Sequence, residues 1–145
     1  MRAELQALRR LCWEERRSLA LAWAYLLLTD LALRVLPVPR VGALLRFLGL
    51  PGGRSRREIS AERLACLVGI AGRHHLRPMT CLPRSLTLQA LLRRYGMEAD
   101  LRIGVRWEAG ELRAHAWVEQ AGNPVGEPAD VEHRFQRLAA GRSAS

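Results

Sequence analysis

The sequence predicts a single α+β domain, with helices in the amino-terminal part and a small antiparallel sheet after them. Apolar residues at helical spacing recur along the chain as far as Gly96, whereas residues 101–107 and 112–119 alternate between apolar and polar side chains. The chain has 145 residues, of which 49% are hydrophobic, so one domain with a modest core is the expected organisation.

The first third of the chain is predicted to be helical. We expect one helix in residues 1–10, a second over residues 19–36 that Ser18 caps and Pro37 ends, and a third over residues 41–50. The second helix is apolar on almost every side, so a membrane span, a core helix and a docking surface are all open. Its uncharged run covers about a dozen residues, fewer than the roughly 20 that a bilayer requires. We therefore favour a helix that covers the core or binds a partner over contact with a membrane.

The middle of the chain carries clear boundary signals. Residues 51–57, rich in glycine and arginine, form the clearest predicted linker. Ser60 is expected to cap a helix that ends near Gly72. The next helix is predicted to begin at Cys81, with a proline in its first turn, and to end at Gly96.

The two alternating segments form a predicted β-hairpin around a turn at residues 108–111. His115 can face a cleft, because it lies on the face of the second strand opposite the aliphatic set Leu112, Ala114, Ala116 and Val118. A short return strand through Val125 is expected after a turn at residues 120–124.

Together these elements suggest one catalytic constellation. Cys81 lies where a helix begins, and the free backbone N–H groups and helix dipole there favour a thiolate and can hold an oxyanion. His115 is the candidate base. An acidic group would fix its tautomer, and Glu127 is the first candidate because the strand through Val125 returns beside His115. Asp130 is the reserve.

Four segments together resemble the lasso-peptide leader peptidases, a family of small transglutaminase-like, papain-related cysteine proteases. These segments are residues 77–86, 91–99, 101–105 and 115–119. The resemblance covers most of the chain and implies a transglutaminase-like protease core at residues 58–136. Residues 1–50 would be a helical region that belongs to the same domain or docks a partner, and residues 137–145 a flexible tail.

The resemblance also implies residue roles and a reaction. Cys81 matches the family's nucleophile and His115 its base, whereas the third residue, usually aspartate, is matched by Glu127. The implied reaction is peptide-bond hydrolysis that separates leader from core in a ribosomally synthesised precursor peptide, with no cofactor. The new core N-terminus would pass to a partner lasso cyclase, and a separate winged-helix-like protein would supply leader recognition.

The remaining cysteines and histidines receive no chemical role. Cys12 and Cys66 are expected to be small buried hydrophobes within helices. A metal site at His74 and His75 is not favoured, because adjacent histidines are poorly arranged for one ion and no Cys-x-x-Cys pair accompanies them. Three cysteines without a regular framework favour a reducing, cytoplasmic location.

The charge pattern limits the kinds of partner that the chain is expected to bind. The formal net charge is +9, and all 23 basic side chains are arginine because the chain has no lysine. Such a surface can hold nucleic acid, an acidic leader peptide or an acidic partner protein. The arginines are scattered and aromatic residues make up only 6%, so nucleic-acid binding is not favoured.

Two further possibilities remain open on the sequence. The same three residues could transfer an acyl group to an amine, and a non-catalytic adaptor that retained the fold would also carry them. A candidate docking surface for the recognition partner is formed by Trp23, Tyr25 and residues 26–28.

Overall fold

The computed structural model describes residues 12–48 and 59–138. In chain order its elements are α1 (Trp13–Val35), α2 (Val38–Leu48), α3 (Ala61–Arg73), α4 (Cys81–Arg94), β1 (Asp100–Glu108), β2 (Glu111–Gln120), β3 (Asn123–Val125), α5 (Val131–Arg134) and β4 (Gln136–Arg137). The predicted α+β class is confirmed. The helix predicted in residues 1–10 and the linker predicted at 51–57 lie outside the described residues.

Helix α1 begins earlier than the sequence predicts. Its N-cap is Cys12, whose backbone N–H donates to Glu15 Oε2 over 3.1 Å. The prediction that Ser18 caps this helix is wrong, since Ser18 lies inside it and donates from Oγ to the Glu14 carbonyl oxygen over 2.8 Å. Acidic side chains suit the positive start of a helix, so the two glutamates belong to α1 rather than precede it.

Helix α1 contains the apolar segment for which the sequence left a membrane span, a core helix and a docking surface open. By length and composition alone α1 could cross a membrane, so length does not exclude a span, contrary to the expectation from the uncharged run. One face of α1 is nevertheless buried against α3 and α4, where Leu26 is 0% exposed and Tyr25 8% exposed. The expected docking surface is therefore wrong for these two residues, because the core already covers them.

Helices α3 and α4 have the predicted boundaries. The Ser60 side chain accepts a hydrogen bond from the Arg63 backbone N–H over 3.2 Å, α4 begins at Cys81, and Gly96 follows its end with a φ of 77°. Both helices bury leucine-rich faces in the core. Cys66 points away from that core and is exposed, as is Cys12, so their expected burial is wrong. Helical periodicity turns Cys66 outward while neighbouring residues on either side face in.

The four strands form one sheet in the order β3-β2-β1-β4, and every neighbouring pair is antiparallel. The predicted hairpin is confirmed, with Gly104 of β1 opposite His115 of β2. One face of the sheet packs on α4, with Val118 and Val125 in the shared hydrophobic core. Strand β4 adds Arg137 opposite Gly104, so Arg137, the first residue of the expected tail, still belongs to the sheet. Residues 139–145 of that expected tail lie outside the described residues.

Candidate active site

Cys81 occupies the first position of α4, and its side chain is half-buried. Thr80 is the N-cap, but its side chain makes no capping hydrogen bond to the first turn. The backbone N–H groups at this end of the helix are therefore available to another acceptor. Such groups, together with the helix dipole, stabilise a thiolate or a developing oxyanion. Because the helix begins at Cys81, the sulfur lies at the positive end of the helix dipole, beside these backbone N–H groups.

Cys81, His115 and Glu127 line the same cavity, which has a volume of about 100 Å³. His115 Nε2 lies 3.1 Å from Glu127 Oε1. An ionised carboxylate can only accept, so Nε2 carries the hydrogen in this contact and donates it to Glu127. Nδ1 is then the unprotonated imidazole nitrogen, which can accept a proton.

The turn after β3 explains why Glu127, rather than Asp130, contacts the histidine. Gly126 has a φ of 69°, and a Cβ there would lie 2.6 Å from the Ala65 Cβ of α3. The Gly126 N–H also donates to Glu62 Oε2 over 3.1 Å. These contacts hold the turn against α3 and direct Glu127 into the cavity. Asp130 is exposed and serves as the N-cap residue of α5.

A hydrogen bond that the sequence analysis did not anticipate joins the helix to the strand. Ser85 Oγ, one turn beyond Cys81, donates to the Ala116 carbonyl oxygen over 2.8 Å, and both residues are buried. Because Ala116 adjoins His115 in β2, this bond fixes the register between the element that carries the thiol and the element that carries the imidazole. A serine four residues after a helix-start cysteine, among the leucines of the same helix, is the sequence signal that could have indicated it.

Two aromatic rings lie beside the imidazole of His115. The His115 ring lies 5.1 Å from the Phe135 ring and 6.2 Å from the Trp117 ring, measured between centroids. These rings can approach because Gly104, opposite His115, has no side chain. A Cβ on Gly104 would lie 2.8 Å from the Phe135 Cβ and 3.0 Å from two Trp117 ring carbons. Sequence reasoning gave no role to Phe135, Trp117 or Gly104.

We expect Gly104→Ala to destabilise the protein by about 1–3 kcal/mol, because the added methyl group overpacks this aromatic contact. The free energy of unfolding from urea titration measures the effect. Gly42→Ala is the matched control, since nothing lies within 4 Å of a Cβ there and the glycine is inside α2. The free energy of unfolding of Gly42→Ala is expected to rise by about 0.5–1 kcal/mol, because alanine has a higher helix propensity than glycine. Equal stability of the two variants would contradict the packing argument.

Trp117 is itself held by a buried carboxylate. Glu119 is 2% exposed and accepts hydrogen bonds from Trp117 Nε1 (2.9 Å), Arg102 Nε (2.9 Å) and Arg137 Nη2 (2.8 Å). Burial raises the pKa of this carboxyl group, but the hydrogen bonds from Arg102 and Trp117 outweigh it, so the pKa of Glu119 lies below its ordinary value. This charged network therefore fixes Trp117 on the sheet face that also carries His115.

The lowered pKa of Glu119 makes folding stability depend on pH. Its contribution is fully present above the ordinary glutamate pKa of about 4.3 and is lost as the pH falls through the folded-state value. We expect Glu119→Gln to lower the free energy of unfolding at pH 7 by about 1–3 kcal/mol and to flatten its acid dependence. Urea titrations between pH 7 and pH 3 measure both. Glu108→Gln, at an exposed ion pair with Arg106, is the control with little expected effect.

In the part of the chain that the structure describes, no group of three or more His, Cys, Asp or Glu residues is placed to hold a metal ion. His75 instead contacts the Trp23 ring, with centroids 4.9 Å apart, and His74 is the C-cap of α3. The chemistry that the cavity offers is that of a thiol, an imidazole and a carboxylate.

A family model described as the transglutaminase-like superfamily matches residues 25–140, which include Cys81, His115 and Glu127. No curated protein and no solved structure matches the chain.

Proposed function

The chain belongs to the transglutaminase-like superfamily, and from this premise we propose that it is a cysteine peptidase that removes the leader from a lasso-peptide precursor. The superfamily usually consists of enzymes with Cys, His and Asp at the catalytic site. The observation that carries the proposal is the common cavity of Cys81, His115 and Glu127, with the 3.1 Å contact between the last two. The lasso specificity is supported by the motifs in residues 77–86 and 115–119.

The proposed reaction passes through an acyl-enzyme. Nδ1 of His115 takes the thiol proton, and the Cys81 sulfur attacks the carbonyl carbon of the scissile peptide bond. Backbone N–H groups at the start of α4 stabilise the resulting oxyanion. His115 then returns the proton to the leaving nitrogen, which departs as the amine of the core peptide. Finally, His115 takes a proton from water, hydroxide attacks the thioester, and the leader leaves as a carboxylic acid.

Glu127 has two effects in this scheme. By accepting the Nε2 hydrogen it keeps Nδ1 unprotonated and able to take the thiol proton, and its charge stabilises the imidazolium that forms in each step. A glutamate in place of the family's usual aspartate adds one methylene to this side chain. The turn at Gly126, pressed against Ala65, is what accommodates the longer side chain in our proposal.

The proposal includes partners and a location. A separate winged-helix-like protein would bring the precursor peptide, and a lasso cyclase would use the freed core N-terminus, whereas nucleic acid has no place in the scheme. The reaction needs no cofactor, because peptide hydrolysis requires only the nucleophile, the base and water. Cys12, Cys66 and Cys81 are all free thiols, which supports a reducing, cytoplasmic location.

Mass spectrometry of precursor peptides tests the proposal. Candidate precursors are incubated with the protein, with and without the leader-recognition protein, and each product mass is assigned. Cleavage at a single leader–core bond, with one water added across it, is the expected result. No cleavage under any of these conditions by a folded protein would contradict the proposal.

Transfer to an amine is the second candidate, since an acyl-enzyme on Cys81 can react with an amine in place of water. The same experiment distinguishes the two, because adding a primary amine such as methylamine gives a product heavier than the hydrolysed leader by the amine minus water. Hydrolysis as the main product, even with the amine present, is what we expect.

A further inference from the structure

The lining of the Cys81 cavity includes a cationic side chain, Arg84, that the proposed chemistry does not use. Arg84 follows Cys81 by three residues on α4, so the two side chains lie on the same side of the helix. Arg84 lines the cavity together with Cys81 and His115, and it is exposed to solvent. Its guanidinium group is therefore accessible to a molecule bound at the thiol.

Two glycines of α3 give the Arg84 side chain its path. A Cβ on Gly72 would lie 3.5 Å from Arg84 Cδ, so the aliphatic stem crosses α3 at this point. A Cβ on Gly69 would lie 3.6 Å from Arg84 Nη2 and equally 3.6 Å from Arg73 Nη1. The two guanidinium groups therefore converge above Gly69, on the side of α3 that adjoins the cavity.

This convergence has no counter-charge within the described residues. No carboxylate forms an ion pair with Arg73 or Arg84 there, whereas six other arginines of the same residues do take acidic partners, namely Arg34, Arg63, Arg102, Arg106, Arg113 and Arg137. The carboxylate that lines the cavity, Glu127, is held by His115. Two adjacent positive charges without an anion between them repel each other, and a bound anion relieves that repulsion.

We propose that Arg84 and Arg73 form a subsite for an acidic side chain of the substrate peptide, close to the bond that Cys81 attacks. The proposal rests on the proposed peptidase function and adds a substrate class to it. A guanidinium group binds a carboxylate through two parallel N–H donors, and two such groups can hold both carboxylate oxygens. The net charge of +9 favours approach of an acidic peptide to the same region.

The test uses a positional library of short peptides, acetylated and amidated at their ends. Each carries one Asp in an otherwise neutral sequence, and its partner peptide carries Asn at the same position. Mass spectrometry measures cleavage by the wild-type protein, and retention on immobilised Cys81→Ala protein measures binding without turnover. At one position we expect Asp to be preferred over Asn by about ten- to hundredfold, the range for hydrogen bonds to a charged group.

Arginine variants then show which side chain produces the preference for Asp over Asn. Arg84→Gln is expected to abolish the preference for Asp, Arg73→Gln to reduce it, and Arg84→Lys to retain part of it. Arg94→Gln, which removes the same charge at the far end of α4, is the matched control and should keep the preference. Thermal unfolding monitors the fold of each variant. A preference that Arg84→Gln leaves unchanged would overturn the subsite.

Failure of the subsite and failure of the peptidase give different results. Cleavage by the wild-type protein without any preference for Asp overturns the subsite alone. Asp-dependent retention without cleavage supports the subsite, and the precursor experiment with the leader-recognition protein then decides the peptidase. Absence of any Asp-dependent retention or cleavage overturns the subsite, and the same precursor experiment again decides the peptidase. A parallel library with free C-termini identifies the source of the carboxylate: if the terminal carboxylate replaces Asp, the proposed side-chain specificity is wrong.

Discussion

Replacing Cys81 with alanine is expected to lower the rate of peptide cleavage by at least about 10⁴-fold, because without the sulfur no acyl-enzyme can form. The start of α4 and the imidazole of His115 remain in this variant, so substrate can still bind while the covalent step is lost. Single-turnover cleavage of the precursor, followed by mass spectrometry, measures the rate. Binding of the uncleaved precursor is expected to persist.

Cys66→Ala is the matched control for this prediction. It makes the same chemical change at an exposed cysteine of α3, outside the cavity, and should cleave as the wild-type protein does. His115→Ala is expected to lose activity nearly as completely as Cys81→Ala, since the two residues act as one unit in the proposed mechanism. Cleavage that survived Cys81→Ala, or that disappeared in Cys66→Ala, would contradict the assignment of Cys81 as the nucleophile.

Removing the carboxylate of Glu127 is expected to have the next largest effect. Glu127→Ala leaves His115 without its partner at Nε2, so both the tautomer and the charge of the imidazolium lose support. We expect kcat/KM to fall by about 10²–10⁴-fold. The kcat/KM of Glu127→Gln should lie between those of Glu127→Ala and the wild-type protein, because its amide oxygen can still accept the Nε2 hydrogen but carries no charge. Steady-state kinetics across a range of pH measure both variants.

Asp130→Asn serves as the control, because Asp130 lies at the start of α5 and outside the cavity. Its kcat/KM is expected to remain within a few-fold of the wild-type value. A larger loss of kcat/KM in Asp130→Asn than in the Glu127 variants would mean that Asp130, and not Glu127, supports His115 in solution. The turn at Gly126 would then have to open during the reaction.

Much of the fold was predictable because its boundaries are set locally. Ser60 caps α3 with its own side chain, Pro37 prevents α1 from continuing, and Gly96 takes the left-handed conformation after α4. The hairpin follows from alternation along each strand. Each of these signals acts over a few residues, so the sequence is sufficient to interpret it.

The errors arise where burial depends on a neighbour. Cys66 and Tyr25 both lie in apolar helices, yet the packing of α1 on α3 and α4 buries only Tyr25. The start of α1 was misplaced because Ser18 resembles a cap. In the structure its hydroxyl contacts the Tyr95 hydroxyl at 2.5 Å, a partner 77 residues away that no local pattern reveals.

The sequence by itself determined the α+β class, the helix that begins at Cys81 and the strand that carries His115, since capping and periodicity are properties of adjacent residues. Only the tertiary structure decided that Glu127 rather than Asp130 contacts the imidazole, and that Arg84 and Arg73 converge above Gly69 of α3. The physical reason is that both outcomes depend on α3. Its Ala65 sets the turn at Gly126, and its glycines leave room for the arginine side chains, across distances in sequence that no local signal spans.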